Sequence, residues 1–112
     1  MKKKYIIKKN HYIQKIISEK KNISNRYFIV YIKENNLEHF RIAISISKKV
    51  GKAVIRNKIK RQIKAIIYQK YREIIKNYDI LLIVKILTKD LNFVDIDRNL
   101  FDVFKKAKLI IE

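Results

Sequence analysis

Residues 39–64 run His39-Phe40-Arg41-Ile42-Ala43-Ile44-Ser45-Ile46-Ser47, then Lys48-Lys49-Val50-Gly51-Lys52, then Ala53-Val54-Ile55-Arg56-Asn57-Lys58-Ile59-Lys60-Arg61-Gln62-Ile63-Lys64. The hydrophobic period changes within this stretch. From 39 to 47 it is two. Phe40, Ile42, Ile44 and Ile46 fall on one face and Arg41, Ala43, Ser45 and Ser47 on the other, which predicts a half-buried strand. Gly51, the only glycine of the chain, marks the turn. Beyond it the period becomes helical, and the spacing predicts a helix over about 53–76. With Arg56 set at zero on a helical wheel, Lys60, Lys64, Asn57 and Arg61 fall between about 40° and 140°, while Ile55, Ile59, Ile63 and Ile66 gather between about 260° and 340°. One isoleucine stripe anchors such a helix, and four cations with one amide look outward.

The outward arc suits nucleic acid. Arginine offers a planar fork to phosphate oxygens and lysine a mobile point charge. Asparagine both donates and accepts, so Asn57 can meet a base edge or a ribose hydroxyl. A charged helix face is ordinarily just solvated, but solvated faces mix signs. Here no Asp or Glu occurs from 39 to 72, against eleven Lys and Arg. Residues 1–38 carry ten cations and three acids, and residues 73–112 seven of each. The net charge of +18 is therefore regional. Such asymmetry points to a dedicated surface for a polyanion rather than to compositional drift toward lysine.

Outward from this centre the chain reads as α-β-β-α-β-α. Ile13, Ile16 and Ile17 predict a helix over about 10–20. The β-branched and aromatic run 27–32 predicts a strand. The near-continuous apolar run 79–85 predicts a central, covered strand. Ile96, Leu100, Val103, Phe104 and Ala107 predict a closing amphipathic helix over about 95–109. With one glycine and no proline, turns fall to Asn and Asp, and Asn22/Asn25, Asn35/Asn36, Asn77/Asp79 and Asn92 are the expected breaks. An α+β sandwich follows. The 112 residues are one domain's length, so a single domain over 1–112 is expected, its charge open to RNA, DNA or an anionic membrane until a family resemblance makes it an RNA-binding domain.

Several classes are disfavoured. Cysteine is absent, which removes disulfides and thiolate chemistry and fits a reducing cytoplasm. The longest apolar run, Ile80-Leu81-Leu82-Ile83-Val84, ends at Lys85, whereas a membrane helix needs about 20 residues. The start, Lys2-Lys3-Lys4-Tyr5-Ile6-Ile7-Lys8-Lys9, has too short an apolar part for a signal peptide. No membrane partner is expected. A nuclease acting by itself needs a carboxylate cluster or a histidine pair. His11 and His39 each stand alone and read as surface residues, and Asp95 and Asp97 read as acids at a helix start.

The stretch from Ser45 to Lys64 closely resembles the arginine- and asparagine-rich signature of the bacterial ribonuclease P protein family, position by position over about 20 residues. Lys8-Lys9-Asn10, the run from Asn25 to Tyr31 and Tyr78-Asp79-Ile80 resemble that family in order and spacing. Lys58 and Lys64 stand where it usually has arginine, keeping the charge and losing the fork. Ile13 and Ile17 stand where its first helix usually carries phenylalanine.

The resemblance implies a two-layer α/β sandwich of order α-β-β(-β)-α-β-α, with a left-handed crossover around the signature helix. It implies that Lys48, Lys49, Lys52, Arg56, Asn57, Lys58, Lys60, Arg61 and Lys64 contact a catalytic RNA. A cleft between first helix and sheet would hold the 5′ leader of precursor tRNA, with Tyr12, Ile13, Ile17, Arg26, Tyr27, Phe28 and Tyr31 as its candidates. Mg²⁺ held mainly by the RNA would perform the hydrolysis, and no catalytic residue or metal ligand is expected in the protein. Single strands do bind to basic grooves with aromatic platforms. Alternation puts Tyr27 and Tyr31 on one strand face and Phe28 on the other, and a core role competes with stacking for each. A small ribosomal protein would explain the charge but not the signature spacing. A DNA-binding helix-turn-helix needs a short helix where the strand 39–47 is read, so DNA is not the expected partner.

Overall fold

The computed structural model describes residues 3–8 and 10–111, without the side chains of Asn10 and His11. Lys9 and the expected surface position of His11 lie outside the described residues. The elements are α1 (Asn10–Ser18), β1 (Asn22–Ser24), β2 (Phe28–Glu34), β3 (Arg41–Ile46), α2 (Ala53–Lys70), β4 (Tyr78–Val84) and α3 (Phe93–Lys106). Short 3₁₀ turns lie at Lys3–Tyr5, Lys48–Val50, Tyr71–Glu73 and Ile86–Asp90. The fold is the mixed α+β arrangement that the sequence predicts.

The sheet order is β1-β2-β4-β3. β4 sits between an antiparallel β2 (Tyr31 opposite Leu81) and a parallel β3 (Ile42 opposite Ile80). Because β3 and β4 are parallel, the chain must cross over between them, and α2 makes that crossover. β4 is buried on both faces, which explains its unbroken apolar run.

One sheet face carries the main core. Phe28, Val30, Ile42, Ile80, Leu82 and Val84 meet Ile59, Ile63, Ile66 and Ile67 of α2 and Ile96, Leu100, Val103 and Phe104 of α3. Each such aliphatic side chain contributes about 1.5–3 kcal/mol by leaving water. The opposite face carries α1, where Ile16 joins Ile7, Ala43 and Leu81, with Tyr12, Ile13, Tyr31 and Ile83 packed around them. Ala43 is therefore covered, although its strand reads as half-buried.

Four sequence expectations need correction. The predicted 53–76 helix stops at Lys70, because Ile74 is buried and bridges to Ile110 while the Ile75 amide donates to the Leu109 carbonyl at 2.7 Å. The chain has to become extended there to pair with its own end. Ile55 belongs to the isoleucine stripe by angle but is 42% exposed; it packs back against Gly51 instead, 3.1–3.2 Å from where a side chain would begin. Asn22 was an expected break and is paired in β1, opposite Tyr31. Asp79 was another and lies inside β4, buried against Arg41.

The remaining Asn breaks hold. The Asn25 side-chain carbonyl accepts from the amides of Tyr27 and Phe28, both at 2.9 Å. Asn35 accepts from the Leu37 amide, and Asn92 caps α3 by accepting from Asp95.

Candidate nucleic-acid interface

The turn into α2 is built for its position. The Ser47 hydroxyl accepts from the Lys49 amide at 3.2 Å, Val50 is buried as the anchor, and Gly51 takes φ 156°, where a side chain would be strained. Lys52 then starts α2, with no acid in the first turn. Cations near a helix N-terminus are disfavoured by the peptide dipoles. Lys52 and Arg56 therefore sit where helix stability alone would not place them.

Asn57, Lys58, Lys60 and Arg61 are exposed, and Lys48, Lys49 and Lys52 extend the exposed charge into the preceding turn. Arg56 and Lys64 are half-buried. Among the described residues, no carboxylate lies within ion-pair distance of any of these cations. The ion pairs lie elsewhere, as at Lys33–Glu19, Arg41–Asp79 and Lys70–Asp97. Arg56 does have a structural contact, since its Nε donates to the Gly51 carbonyl at 3.0 Å. That bond ties the arginine to the turn before its own helix.

Beside this face runs a cleft of about 350 Å³. Ile6, Ile7 and Ile13 form one wall, Ile42, Ala43 and Ile44 the floor, and Lys60 and Lys64 the other wall. The amino-terminal segment is held there by a parallel bridge from Ile6 to Ile42 and by the Ile7 amide donating to the Ile42 carbonyl at 2.9 Å. With Lys8 also in its lining, this apolar floor bordered by lysines suits a strand whose bases are unpaired and whose phosphates are charged. Nothing in the sequence alone marked Ile6, Ile7 or the β3 floor as part of it, because they meet only through tertiary contact.

The structure divides the aromatic candidates. Tyr12, Ile13 and Tyr31 come together on the α1 face, with Ile17 37% exposed on the same helix. Arg41 lies over the Tyr12 ring, its Cζ 5.1 Å from the centroid. Phe28 is fully buried in the main core and offers no surface. Tyr27 packs against that same core rather than sharing a face with Tyr31. It precedes β2, so strand alternation does not govern it, and its carbonyl is fixed by the Lys85 amide and the Thr88 hydroxyl. Arg26 is exposed beside it.

His39 is not a lone surface residue. It is half-buried, edge-on to Tyr5 at 5.5 Å, with Nδ1 3.0 Å from the Phe40 carbonyl. Asp95 pairs with Arg98 at 3.8 Å. Asp97 has a buried oxygen with no hydrogen bond, its nearest cation being Lys70 at 3.7 Å. Among the described residues no three His, Cys, Asp or Glu side chains come together as metal ligands, and no helix is long and apolar enough to cross a membrane.

The family model described as Ribonuclease P matches residues 1–108. The ribonuclease P protein component of Streptococcus agalactiae serotype III is 40% identical over 110 residues, covering 98% of this chain and all of that protein. The structure is similar to the RNase P protein of Staphylococcus aureus, with a TM-score of 0.90 at 40% identity, covering 95% of this chain and 97% of that one. It is also similar to the RNase P protein of Thermotoga maritima, with a TM-score of 0.83 at 27% identity over 89% of this chain and 94% of that one.

Proposed function

The chain belongs to the ribonuclease P protein family, and from that premise we propose that it holds the catalytic RNA along α2 and the 5′ leader of precursor tRNA in the cleft beside it. One observation carries this reading: an α2 face of cations without acidic partners borders an apolar-floored cleft through two shared residues, Lys60 and Lys64. Lys48, Lys49, Lys52, Arg56, Asn57, Lys58 and Arg61 meet phosphates and groove edges of the RNA. Ile13 lines that cleft, Tyr12 and Tyr31 pack with it on the α1 face of the sheet, and Ile17 lies on the same helix. Phe28 and Tyr27 act on the leader only by holding β2 in place.

The protein's part is electrostatic and positional. It brings leader and catalytic RNA together, while Mg²⁺ held mainly by the RNA would supply the activated water and the charge stabilisation of phosphodiester hydrolysis. The described side chains do not converge on a site for that ion. The reaction takes place in the cytoplasm, on precursor tRNA.

Leader length is the test. Tyr31→Leu keeps the packing against Ile16 and Leu81 but loses the ring. It is expected to weaken holoenzyme binding of precursor tRNA with a leader of several nucleotides by about 1–3 kcal/mol. Mature tRNA, and precursor with a one-nucleotide leader, should bind almost as before. Equal loss on all ligands, or none, removes Tyr31 from the leader path. Site-specific 5′ cleavage by the purified chain without RNA would overturn the whole assignment.

A further inference from the structure

Past Lys64, α2 carries a feature that the signature does not include. Ala65 and Tyr68 follow Arg61 at the same helical face, and Arg61, Lys64, Ala65 and Tyr68 line one recess of about 320 Å³. Tyr68 is 59% exposed. Its ring stacks with that of Tyr71, at 6.1 Å and 29° between planes. Tyr71 in turn meets Tyr5 at 6.1 Å, and Tyr5 stacks on buried Phe40 at 5.0 Å. These rings form a ladder from the basic face to a second cleft, of about 590 Å³.

That cleft lies between the Lys3–Tyr5 turn, the residues before β3 and the end of α2. Tyr5, His39 and Tyr71 supply ring surface; Lys4, Arg72 and Lys76 supply charge; Glu38 is its acid. Lys4 Nζ stands 5.1 Å from the Tyr5 centroid, and Arg72 lies over Tyr71, its Nε donating to the phenol oxygen at 3.1 Å. Packing alone accounts for Phe40, which is buried. It does not account for a mostly solvated Tyr68, or for three cations gathered around aromatic rings with one carboxylate among them. Cations and ring faces in one groove are what a single-stranded nucleic acid requires, because every base has a stacking face and every linkage a charge.

We propose that the RNA-binding surface of α2 continues over Tyr68 and Tyr71 into this cleft, and that the cleft takes an unpaired nucleotide of the catalytic RNA. The inference rests on α2 being the RNA-contacting helix. The base stacks on the tyrosine ladder, and Arg72 and Lys76 hold its flanking phosphates. The recess of Tyr68 shares Lys64 with the leader cleft, but it adds Arg61, which the leader cleft lacks, and it leads away along α2 toward Tyr71. The occupant is therefore the catalytic RNA rather than the tRNA leader.

The test uses the full chain and the cognate catalytic RNA transcript. Tyr68→Leu, at an exposed position, should weaken RNA binding at least about fivefold, and Tyr68→Phe should leave it near wild type, since stacking belongs to the ring. Thermal melting should report an unchanged fold for both. In the holoenzyme, 4-thiouridine placed in the catalytic RNA should crosslink to peptides containing Tyr68 or Tyr71. Wild-type affinity of Tyr68→Leu combined with loss in Arg61→Ala overturns the extension and leaves the reading of α2 standing. Wild-type affinity of Arg61→Ala overturns the reading of α2, and the crosslink alone then decides the cleft. No crosslink at these peptides, or one seen only when precursor tRNA carries the label, overturns the proposal.

Discussion

Arg41 and Asp79 face each other across the parallel β3–β4 pair in a two-point contact, Nε to Oδ1 at 2.9 Å and Nη2 to Oδ2 at 2.7 Å. Asp79 is 6% exposed and also accepts from Asn35 Nδ2 at 2.8 Å. The hydrogen bonds that the guanidinium donates to this carboxylate outweigh its partial burial and push the Arg41 pKa above its ordinary range. The same guanidinium lies over Tyr12. One pair therefore ties the two strands together and, through the Tyr12 ring, reaches α1, whose Ile13 lines the cleft beside α2.

Arg41→Ala leaves a buried carboxylate with only Asn35 as donor. Urea denaturation should show a loss of about 3 kcal/mol. Replacing both by leucine should cost less than either single change, because no charge is then stranded. Additive single effects in the cycle would mean that the two groups act independently. Arg41→Ala should also weaken binding of long-leader precursor more than binding of the catalytic RNA, since Tyr12 loses its cover.

The two signature arginines should separate in behaviour. Arg61→Ala removes an exposed cation and should weaken catalytic-RNA binding by about 1–3 kcal/mol, with the salt slope of log K falling by about one and the melting curve unchanged. Arg56→Ala should lose a similar amount of RNA affinity. It should also lose about 1 kcal/mol of stability, because its bond to the Gly51 carbonyl goes with it. Identical melting of both variants would show that the tie to Gly51 is energetically idle.

Asn25 holds the entry to β2. Its oxygen accepts from two amides, and its nitrogen donates to the Asn99 carbonyl at 2.8 Å and to Asp102 at 3.2 Å. Asn25→Asp keeps the acceptor but turns the donor into a carboxylate facing a carbonyl and an acid. A loss of about 2 kcal/mol is expected in denaturant titrations, reversed in part by Asp102→Asn. An unchanged midpoint for Asn25→Asp would mean that the contact to α3 carries no weight.

The sequence by itself determined what depends on residues close in the chain. The switch of period around Gly51 gave β3, the turn and α2. The unbroken apolar run located β4, and the stripe from Ile96 to Ala107 gave α3. The run without acids from 39 to 72 marked the basic face, since opposite charges three or four residues apart would have been visible in the order of residues. The signature spacing pointed to the family before any coordinate was needed.

Tertiary structure decided what depends on which face meets which. Tyr27, Phe28 and Tyr31 are chemically alike and sequentially close. Only the packing of α2 and α3 on one sheet face and α1 on the other buries Phe28, turns Tyr27 to the main core and leaves Tyr31 half-buried under α1. Asp79 reads as a turn residue until Arg41 is placed beside it, 38 positions away in the chain. β1 has a sequence of low strand preference and exists because β2 offers it an edge. Tyr68 lies on the basic arc by helical angle, yet its meaning comes from Tyr71 and Tyr5, which the end of α2 and the amino-terminal segment bring together. Periodicity fixes a side chain's direction within its own element, whereas exposure, charge pairing and cleft walls arise from contacts between elements that no local pattern encodes.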